Sequence, residues 1–389
     1  MRNYVRQFVL FLALYLTGAA VVNVCVDPER IFGLVEWSWL SPYKVSALDP
    51  AGKAEIAHRD PPDVALIGDS RTMIGFDPQH PLLTRFGRSE NLAFAGANPE
   101  EAARMLELLI ESCPPKLVLW GLDAEGFAAL ERPRWEPRAL ETRLNPDLDL
   151  WSYYRRHLFG LPALQASYQA IRRGLFRRHV PWTNHGQKID WEARPTGAHR
   201  ANENTLRHRV QGRTNLPTDA PTGIEFVEPL LRRAQQAGTR LVLFLPPAHA
   251  LFHDANYRQA DRRRYAERCL TDLVVTVAAI NRERPDGPAI EVWDFTGFTS
   301  WHTEAFPESV ESDSLKWHWD AVHFQDSLGS LALKRMLGEE RTQGSFGTRL
   351  LPSTLPTHLA NWSRQRIEYE RTHPRQAGVL SAWEQAITR

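Results

Sequence analysis

The chain has 389 residues, of which 43% are hydrophobic and 24% are charged, and its formal net charge is +1. This composition excludes a wholly disordered chain and a multi-span membrane protein, and the near-zero charge predicts no nucleic-acid partner. The three cysteines form no Cys-x-x-Cys pair, which argues against a disulfide scaffold and a structural zinc ribbon. Cys113 and Cys269 could pair, and the sequence leaves that open.

Residues 1–27 have the pattern of a membrane anchor. The run from Phe8 to Val26 carries no charge, and its 19 residues approach the roughly 20 that span a bilayer as a helix. Arg2 and Arg6 precede the run, which favours a cytoplasmic N-terminus and an extracytoplasmic main chain. We therefore expect a single-pass protein of the inner or cytoplasmic membrane, periplasmic in a Gram-negative cell. A signal peptide cleaved near residues 18–20 is the alternative. The apolar run continues beyond that point, so an uncleaved anchor is favoured.

After residue 60, short apolar runs alternate with helical patterns. The runs predict strands at 63–68, 91–95, 116–120, 241–245 and 290–293, and the patterns predict helices at 99–112, 224–237, 257–284 (as one or two) and 327–337. This alternation predicts an α/β fold in which a parallel sheet is covered by helices on both faces.

The chain divides into segments that differ in these patterns and in composition. Residues 60–338 form the expected α/β domain, and the polar, Pro- and Trp-containing stretch at about 125–222 interrupts it as a cap-like insertion. Residues 339–389 read as a polar C-terminal tail with helical potential around 358–371.

The first predicted strand ends in Gly68-Asp69-Ser70-Arg71. A Ser just past the carboxyl end of a parallel strand lies at the sheet edge where α/β proteins bind their ligands. Backbone N–H groups at the start of the next segment can point toward an oxyanion near Ser70. Alone, a Gly-x-Ser triplet is equally typical of a turn.

A second block, Asp320-Ala321-Val322-His323, precedes the last predicted helix. A Ser nucleophile needs a base near neutral pH, and His suits that role. An Asp three residues earlier can hold the tautomer of the His and stabilise its charged form from the same loop.

Together the two blocks resemble those of the SGNH, or GDSL, hydrolase superfamily, over roughly residues 60–123 and 224–338. The resemblance implies a three-layer α/β/α sandwich with a parallel sheet. It implies Ser70 as nucleophile, His323 as base and Asp320 as the acidic partner of His323. The family's second block supplies a glycine N–H to the oxyanion, and Gly96 in Asn91-Leu92-Ala93-Phe94-Ala95-Gly96 matches that place. The oxyanion hole would then use the N–H groups of Ser70 and Gly96.

The third block departs from the family pattern Gly-x-Asn-Asp, in which the Asn donates to the oxyanion. Here the chain reads Gly121-Leu122-Asp123-Ala124, and an ionised carboxylate cannot donate. Asp123 is then either protonated or engaged in another role, such as holding Arg71. The Gly-Asp-Ser-Arg, Gly-Leu-Asp and Asp-x-x-His-Phe blocks are similar to those of membrane-anchored envelope members. These include the alginate O-acetylation factors and the D-alanyl-transfer protein of teichoic acid synthesis.

Several residues are candidates for supporting or substrate contacts around Ser70. His249 follows the fourth strand and Asp294 ends the fifth, so both lie at the expected ligand edge. A loop His and a turn or cap Asp are the simpler interpretations. The full set of such candidates is Asp69, Arg71, Asp123, His249 and Asp294. The sequence predicts no metal and no cofactor, because no helical His-x-x-x-His and no paired Cys accompany His302, His318 and His323, and because the chain has no Gly-rich phosphate loop.

The insertion is strongly basic. Residues 151–213 hold 11 Arg and one Lys against three acidic residues, a local charge of +9. A solvated basic face is one interpretation, and an anionic partner outside the membrane is the other. The polymer-binding candidates are Arg172, Arg173, Arg177 and Arg178, two pairs expected to share much of one helical face.

These patterns predict a membrane-anchored, extracytoplasmic serine acyl esterase or O-acyltransferase that acts on an acidic cell-envelope glycan or glycolipid. Water or a sugar hydroxyl would accept the acyl group, and the sequence does not decide between them. The alternative is a non-catalytic scaffold or binding protein of the same fold, with protein partners in an envelope polysaccharide assembly machine.

Overall fold

The computed structural model describes residues 2–45, 48–123, 137–189, 204–210, 220–305, 315–338 and 346–385. Parts of the predicted insertion and tail, including Ala124 of the third block, lie outside these residues. The helices are α1 (Arg2–Val26), α2 (Pro50–Arg59), α3 (Ser70–Gly75), α4 (Pro81–Thr84), α5 (Pro99–Ser112), α6 (Pro137–Leu140), α7 (Leu150–Phe159), α8 (Leu161–Leu175), α9 (residues 204–210), α10 (Ile224–Gln236), α11 (Ala250–Tyr257), α12 (Ala260–Glu283), α13 (Asp326–Leu337), α14 (Leu355–Thr372) and α15 (Pro374–Gln385). The strands are β1 (Val64–Ile67), β2 (Ser89–Asn91), β3 (Leu117–Gly121), β4 (Arg240–Leu245), β5 (Glu291–Asp294) and β6 (Thr348–Arg349).

The six strands form one sheet in the order β2-β1-β3-β4-β5-β6. The first five are parallel, with registers such as Leu66 opposite Leu119. β6 runs antiparallel to β5 and pairs Arg349 with Trp293. The expectation of an all-parallel sheet is therefore wrong at this edge. A two-residue strand has no periodicity, so its sequence gave no signal.

Both faces of the sheet are buried. Successive side chains of a strand point to opposite faces, so β1, β3, β4 and β5 each contribute to two hydrophobic clusters. On one face, Val118 and Trp120 join a hydrophobic cluster with residues of α2, α5, α10 and α12. On the other face, Leu117 and Leu119 join a second cluster with residues of α4 and α13. β1 and β3 are consequently apolar along their whole length, as expected for parallel strands covered on both sides, whereas the short β2 consists of the polar residues Ser89, Glu90 and Asn91.

Most predicted elements occur close to the expected positions. The helix at 99–112 is confirmed, and Asn98 and Glu101 close it with a reciprocal capping box. The second strand lies at 89–91 rather than 91–95, although the N–H groups of Leu92 and Phe94 still donate to the carbonyls of Leu66 and Gly68. The helical pattern at 257–284 corresponds to α12, which is preceded by the unpredicted α11.

The segment after Gly338 contributes to the domain core. It adds β6 to the sheet edge, and Leu350 and Leu355 belong to the larger hydrophobic cluster. α15 places Leu380 against residues of α9, α11 and the loop that carries Ala321. A segment expected as a polar tail thus packs close to the candidate site.

α1 is, by length and composition, able to cross a membrane, with a mean hydropathy of 2.3 over its most apolar stretch. Most of its side chains are exposed, and only Ala19, Asn23 and Val26 near its C-terminal end are buried. The three cysteines are free: Cys113 is exposed and Cys269 is buried. The pairing that the sequence left open is therefore absent.

Candidate active site

Ser70 occupies a sharp turn between β1 and α3. Gly68 has a φ of +136°, and a Cβ at this position would lie 2.7 Å from the carbonyl oxygen of Gly121. Only glycine suits this conformation and this close approach. Asp69 then caps α3 by accepting from the Arg71 N–H at 2.9 Å. The turn thereby holds Ser70 at the carboxyl edge of the sheet, as the sequence predicts.

Asp320 and His323 share the loop that precedes α13. One oxygen of Asp320 accepts from the N–H groups of Val322 at 2.7 Å and His323 at 2.8 Å. The Trp319 N–H donates to the His323 carbonyl at 2.8 Å, which closes the loop. The carboxylate and the imidazole are therefore fixed relative to each other by the backbone.

The structure brings Ser70, His323 and Asp320 into one hydrogen-bonded chain. Ser70 Oγ lies 2.9 Å from His323 Nε2, and His323 Nδ1 lies 2.8 Å from Asp320 Oδ2. An Nδ1–H that donates to the carboxylate leaves Nε2 unprotonated, so Nε2 can accept the Ser70 proton. Burial alone would raise the pKa of Asp320, but the hydrogen bonds and charge of His323 outweigh it and lower that pKa. The arrangement can therefore transfer a proton from Ser70 to His323 with Asp320 ionised.

Gly96 lies in an exposed turn with a φ of +65° between β2 and α5. This segment is tied to the Ser70 turn, because the Phe94 N–H donates to the Gly68 carbonyl at 3.2 Å. The role of Gly96 as an oxyanion donor stays a prediction.

Lys53 supports the same segment and was missed by the sequence analysis. Its ammonium is fully buried and donates to the carbonyls of Ala93 and, at 2.9 Å, Gly186. Burial lowers the pKa of Lys53 to about 7. A lysine in a short helix gives no sequence signal of such a contact.

Arg71 is buried between two carboxylates beside Ser70. Asp69 contacts its Nη2 at 2.7 Å, and Asp123 contacts its Nη1 at 2.8 Å. The Asp123 side chain is half exposed, and the charge and hydrogen bond of Arg71 lower its pKa. Of the two roles considered for Asp123, the structure matches the one that holds Arg71. An ionised Asp123 cannot donate to an oxyanion. The three side chains line a small cavity of about 60 Å³.

His249 lies in the interior rather than at a substrate surface. It is fully buried, its Nδ1 accepts from Leu251 N–H at 3.1 Å, and its Nε2 donates to the Glu304 carbonyl at 2.7 Å. Its own N–H donates to the Ala321 carbonyl at 3.1 Å, so it supports the loop of Asp320 and His323. Direct substrate contact, one role considered for His249, does not fit this position.

Glu304 supports the same loop and was also missed. Its carboxylate accepts from the N–H of Lys316 at 2.7 Å and of Trp317 at 3.1 Å, and contacts His318 Nδ1 at 2.6 Å. The contacts span 12 to 14 residues, a separation at which the sequence gives no pairing signal. Although several histidines lie near this loop, the described part of the chain contains no group of His, Cys, Asp or Glu that could hold a metal ion.

Asp294 ends β5 and binds α14. Its Oδ1 accepts from the Thr296 N–H at 2.7 Å, and its Oδ2 lies 2.7 Å from His358 Nε2. Burial alone would raise the pKa of Asp294 and lower that of His358. Their mutual hydrogen bond and charges outweigh burial, so the pKa of Asp294 is lowered and that of His358 is raised. The pair therefore docks α14 onto the sheet edge.

We expect the Asp294–His358 pair to stabilise the fold in a pH-dependent way. The His358 contribution is complete below its unfolded pKa of about 6.5 and is lost as pH rises through its raised folded pKa. The Asp294 contribution is present above its unfolded pKa of about 3.9 and is lost as pH falls through its lowered folded pKa. Between pH values of about 3.9 and about 6.5, Asp294→Asn should thus reduce the free energy of unfolding by about 2 kcal/mol. Toward alkaline pH the reduction should become smaller.

Denaturant titrations from pH 4.5 to 9 measure this effect. Asp286→Asn, at an exposed loop position, is the matched control and should change little at any pH. A difference between wild type and Asp294→Asn that stays constant with pH would refute the ion pair.

The four arginines proposed to bind a polymer lie at the end of α8. Arg172 and Arg173 are partly buried in its last turn, and Arg173 lies over the Trp182 ring at 5.4 Å. Arg177 and Arg178 are exposed beyond the helix end, and Arg177 has a φ of +45°. The expected shared helical face is therefore wrong, because α8 stops at Leu175.

A comparison of the chain with protein-family models gives no match, and neither does a comparison with curated proteins.

Proposed function

We propose that the protein is a membrane-anchored, extracytoplasmic serine acyl esterase or O-acyltransferase that acts on a cell-envelope glycan or glycolipid. The observation that carries the proposal is the hydrogen-bonded chain from Ser70 Oγ through His323 to Asp320, at 2.9 and 2.8 Å. These distances fall within the hydrogen-bond reach that nucleophilic catalysis requires. The mostly parallel sheet, buried on both faces, supports a three-layer α/β/α sandwich similar to that of the SGNH hydrolases.

In the proposed reaction, Ser70 Oγ attacks the acyl carbonyl carbon while His323 Nε2 takes the Ser70 proton. Collapse of the tetrahedral intermediate expels the alcohol, which receives that proton, and leaves an acyl ester on Ser70. His323 then takes a proton from water or from a sugar hydroxyl, whose oxygen attacks the acyl carbon. The bond between that carbon and Ser70 Oγ breaks, and His323 returns the proton to Ser70 Oγ. Asp320 stabilises the imidazolium in both steps. The N–H groups of Ser70 and Gly96 are the proposed oxyanion donors.

The location rests on α1. Its apolar length supports a single-pass anchor, and Arg2 and Arg6 at its start favour an extracytoplasmic main domain, periplasmic in a Gram-negative cell. Cleavage at residues 18–20 would cut the helix within the stretch whose buried residues pack on α7 and α8. This packing supports the uncleaved anchor over a signal peptide.

The substrate class rests on the basic end of α8. Exposed Arg177 and Arg178 suit carboxylates or phosphates of an acidic glycan or glycolipid. Replacing Arg172, Arg173, Arg177 and Arg178 together with Gln should weaken polymer binding several-fold while turnover of a small acyl ester stays near wild type. Wild-type binding should also weaken between low and moderate salt, because exposed charges are screened beyond roughly 8 Å at physiological ionic strength.

Binding of purified acidic glycans, measured at two salt concentrations, tests this assignment. Replacing Arg282 and Arg284, which are exposed at the end of α12, with Gln is the matched control. Unchanged polymer binding with lost small-ester turnover would mean that the four arginines support the fold rather than the substrate.

One observation favours the scaffold alternative. Asp123 is ionised and paired with Arg71, so it cannot replace the Asn that donates to the oxyanion in the SGNH superfamily, which the sequence resembles. A protein that kept the fold and the Ser70–His323 contact without turnover would fit a binding role in an envelope assembly machine.

Acyl-enzyme trapping separates the two functions. The full chain in detergent is mixed with a chromogenic acetyl ester, with and without a sugar acceptor. The reaction is quenched with acid, and the mass of the intact protein is measured by mass spectrometry. The enzyme should gain one acetyl group, which peptide mapping should locate at Ser70. Released acetate identifies a hydrolase, and acetylated sugar identifies a transferase. Absence of both an adduct and turnover would favour the scaffold.

A further inference from the structure

The hairpin formed by α7 and α8 packs along the C-terminal part of α1. Asn23, the one strongly polar residue of α1 between Gly18 and Val26, is fully buried at this contact. Its amide nitrogen donates to the Leu158 carbonyl at 3.0 Å, and its oxygen accepts from the Ser167 hydroxyl at 2.9 Å. The polar group of α1 is thus satisfied by the hairpin, which allows Asn23 to lie in an apolar environment.

α1 and α8 run side by side in the same direction. Asn23 bonds Ser167, and Val26 clusters with Ala170. The two residues of each pair are separated by the same number of positions in the sequence, as expected for parallel helices. The buried positions have matching spacing in the two helices, at Ala19, Asn23 and Val26 in α1 and at Ala163, Ser167 and Ala170 in α8. Small residues at these positions permit close approach, as at helix interfaces within membranes.

In this register, the tip of the α7–α8 hairpin lies beside α1, on the N-terminal side of Asn23. Leu161 precedes Ser167 by six residues, which corresponds to about 9 Å of helix. The tip, residues 158–164, contains only apolar residues and glycine. Leu161 is 62% exposed and Phe159 is 37% exposed. An uncharged, exposed tip therefore lies beside the apolar stretch of α1 rather than beside the main domain.

Neighbouring residues mark where a bilayer surface would lie. Trp37 is 46% exposed and donates from Nε1 to the carbonyl of Cys25 at 2.9 Å. Trp is typical of the membrane–water interface. On the exposed side of α8, Gln165 and Gln169 follow the apolar tip. An interface at the level of Asn23 to Cys25 would contain Trp37 and Gln169, which lies opposite Cys25 in this register, and would leave the apolar tip on its deeper side.

We infer that the α7–α8 tip, residues 158–164, is immersed in the bilayer leaflet that faces the main domain. The inference rests on the membrane anchoring in the proposed function, but not on the esterase activity. At about 9 Å below Asn23, Leu161 stays within one leaflet, since the hydrocarbon core is about 30 Å thick. Lipid is the occupant that fits, because the exposed tip is continuous with exposed apolar α1 residues such as Leu14 and Val21. The tip and α1 together hold the domain in one orientation on the membrane.

Spin-label depth measurements test the inference on the full chain in phospholipid nanodiscs. The three native cysteines are replaced by Ala, and single labels are introduced by Leu161→Cys, Leu12→Cys and Val275→Cys. Val275 is exposed on α12 and reports the water phase, and Leu12 is exposed on α1 and reports the anchor. Accessibility to oxygen and to a water-soluble nickel complex is compared. Each labelled chain is used only if its thermal unfolding matches the cysteine-free parent.

We expect the label at position 161 to be highly accessible to oxygen and poorly accessible to the nickel complex. Position 12 should give the same result, and position 275 the opposite one. Nickel accessibility at 161 equal to that at 275, with position 12 still lipid-exposed, would overturn the inference and leave the anchor intact. Protection from both reagents at 161 would also overturn it, because protein rather than lipid would then cover the tip. Nickel accessibility at both 161 and 12 would refute the anchor as well.

Discussion

Ser70→Ala is expected to lower ester turnover by about 10⁶-fold, because the nucleophile is lost and only binding and the backbone oxyanion donors remain to accelerate the reaction. The free energy of unfolding should change by only about 1 kcal/mol, the usual net value of one hydrogen bond. His323→Ala should lose a similar factor. The double variant should be no slower than either single variant, since the residues act as one unit.

Initial rates with a chromogenic acetyl ester, together with denaturant unfolding, measure both quantities. Ser330→Ala is the matched control, because Ser330 lies on α13 outside the proposed machinery. Turnover retained in Ser70→Ala, or additive losses in the double variant, would contradict a Ser70–His323 relay. Loss of turnover in both Ser70→Ala and His323→Ala, with the fold preserved and with Ser330→Ala unaffected, would uphold it.

Gly329→Ala is expected to destabilise the protein by about 3 kcal/mol, at the upper end of the usual cost of overpacking a core. A Cβ at position 329 would lie 1.8 Å from the backbone oxygen of Gly75, so α13 must move away from α3. The N-cap of α13 is Gln325, whose side chain bonds the carbonyls of Leu315 and His318. Moving α13 therefore displaces the loop that carries His323.

Turnover should consequently fall by about 10²-fold, the effect of a misplacement of about 1 Å. Gly378→Ala in α15 is the matched control. No atom lies within 4 Å of a Cβ at that position, so the control should be neutral or stabilising by up to about 1 kcal/mol. Thermal unfolding and ester turnover of the two variants are compared. Equal stability of the two would refute the close α3–α13 contact.

Local pattern alone determined much of this protein. The strand before Ser70, the helix at 99–112 with its Asn98 cap, and the stop of α13 at Gly338 depend on neighbouring residues in the chain. Hydrophobic periodicity, capping and glycine conformation act over a few residues, so they can be read without coordinates. The placement of Ser70 and of Asp320-x-x-His323 at one sheet edge followed from the parallel order of the strands.

Only the tertiary structure decided which distant side chains meet. The contacts of Asp123 with Arg71 and of Asp294 with His358 join residues 52 and 64 positions apart. The antiparallel β6 and the packing of α8 on α1 are equally non-local. Such contacts depend on how elements pack and on the free-energy cost of leaving buried polar groups unpaired. Neither factor produces a periodic pattern in the sequence. The roles of Asp294 and Asn23 therefore emerged only with the fold, and the fold also favoured one of the two roles considered for Asp123.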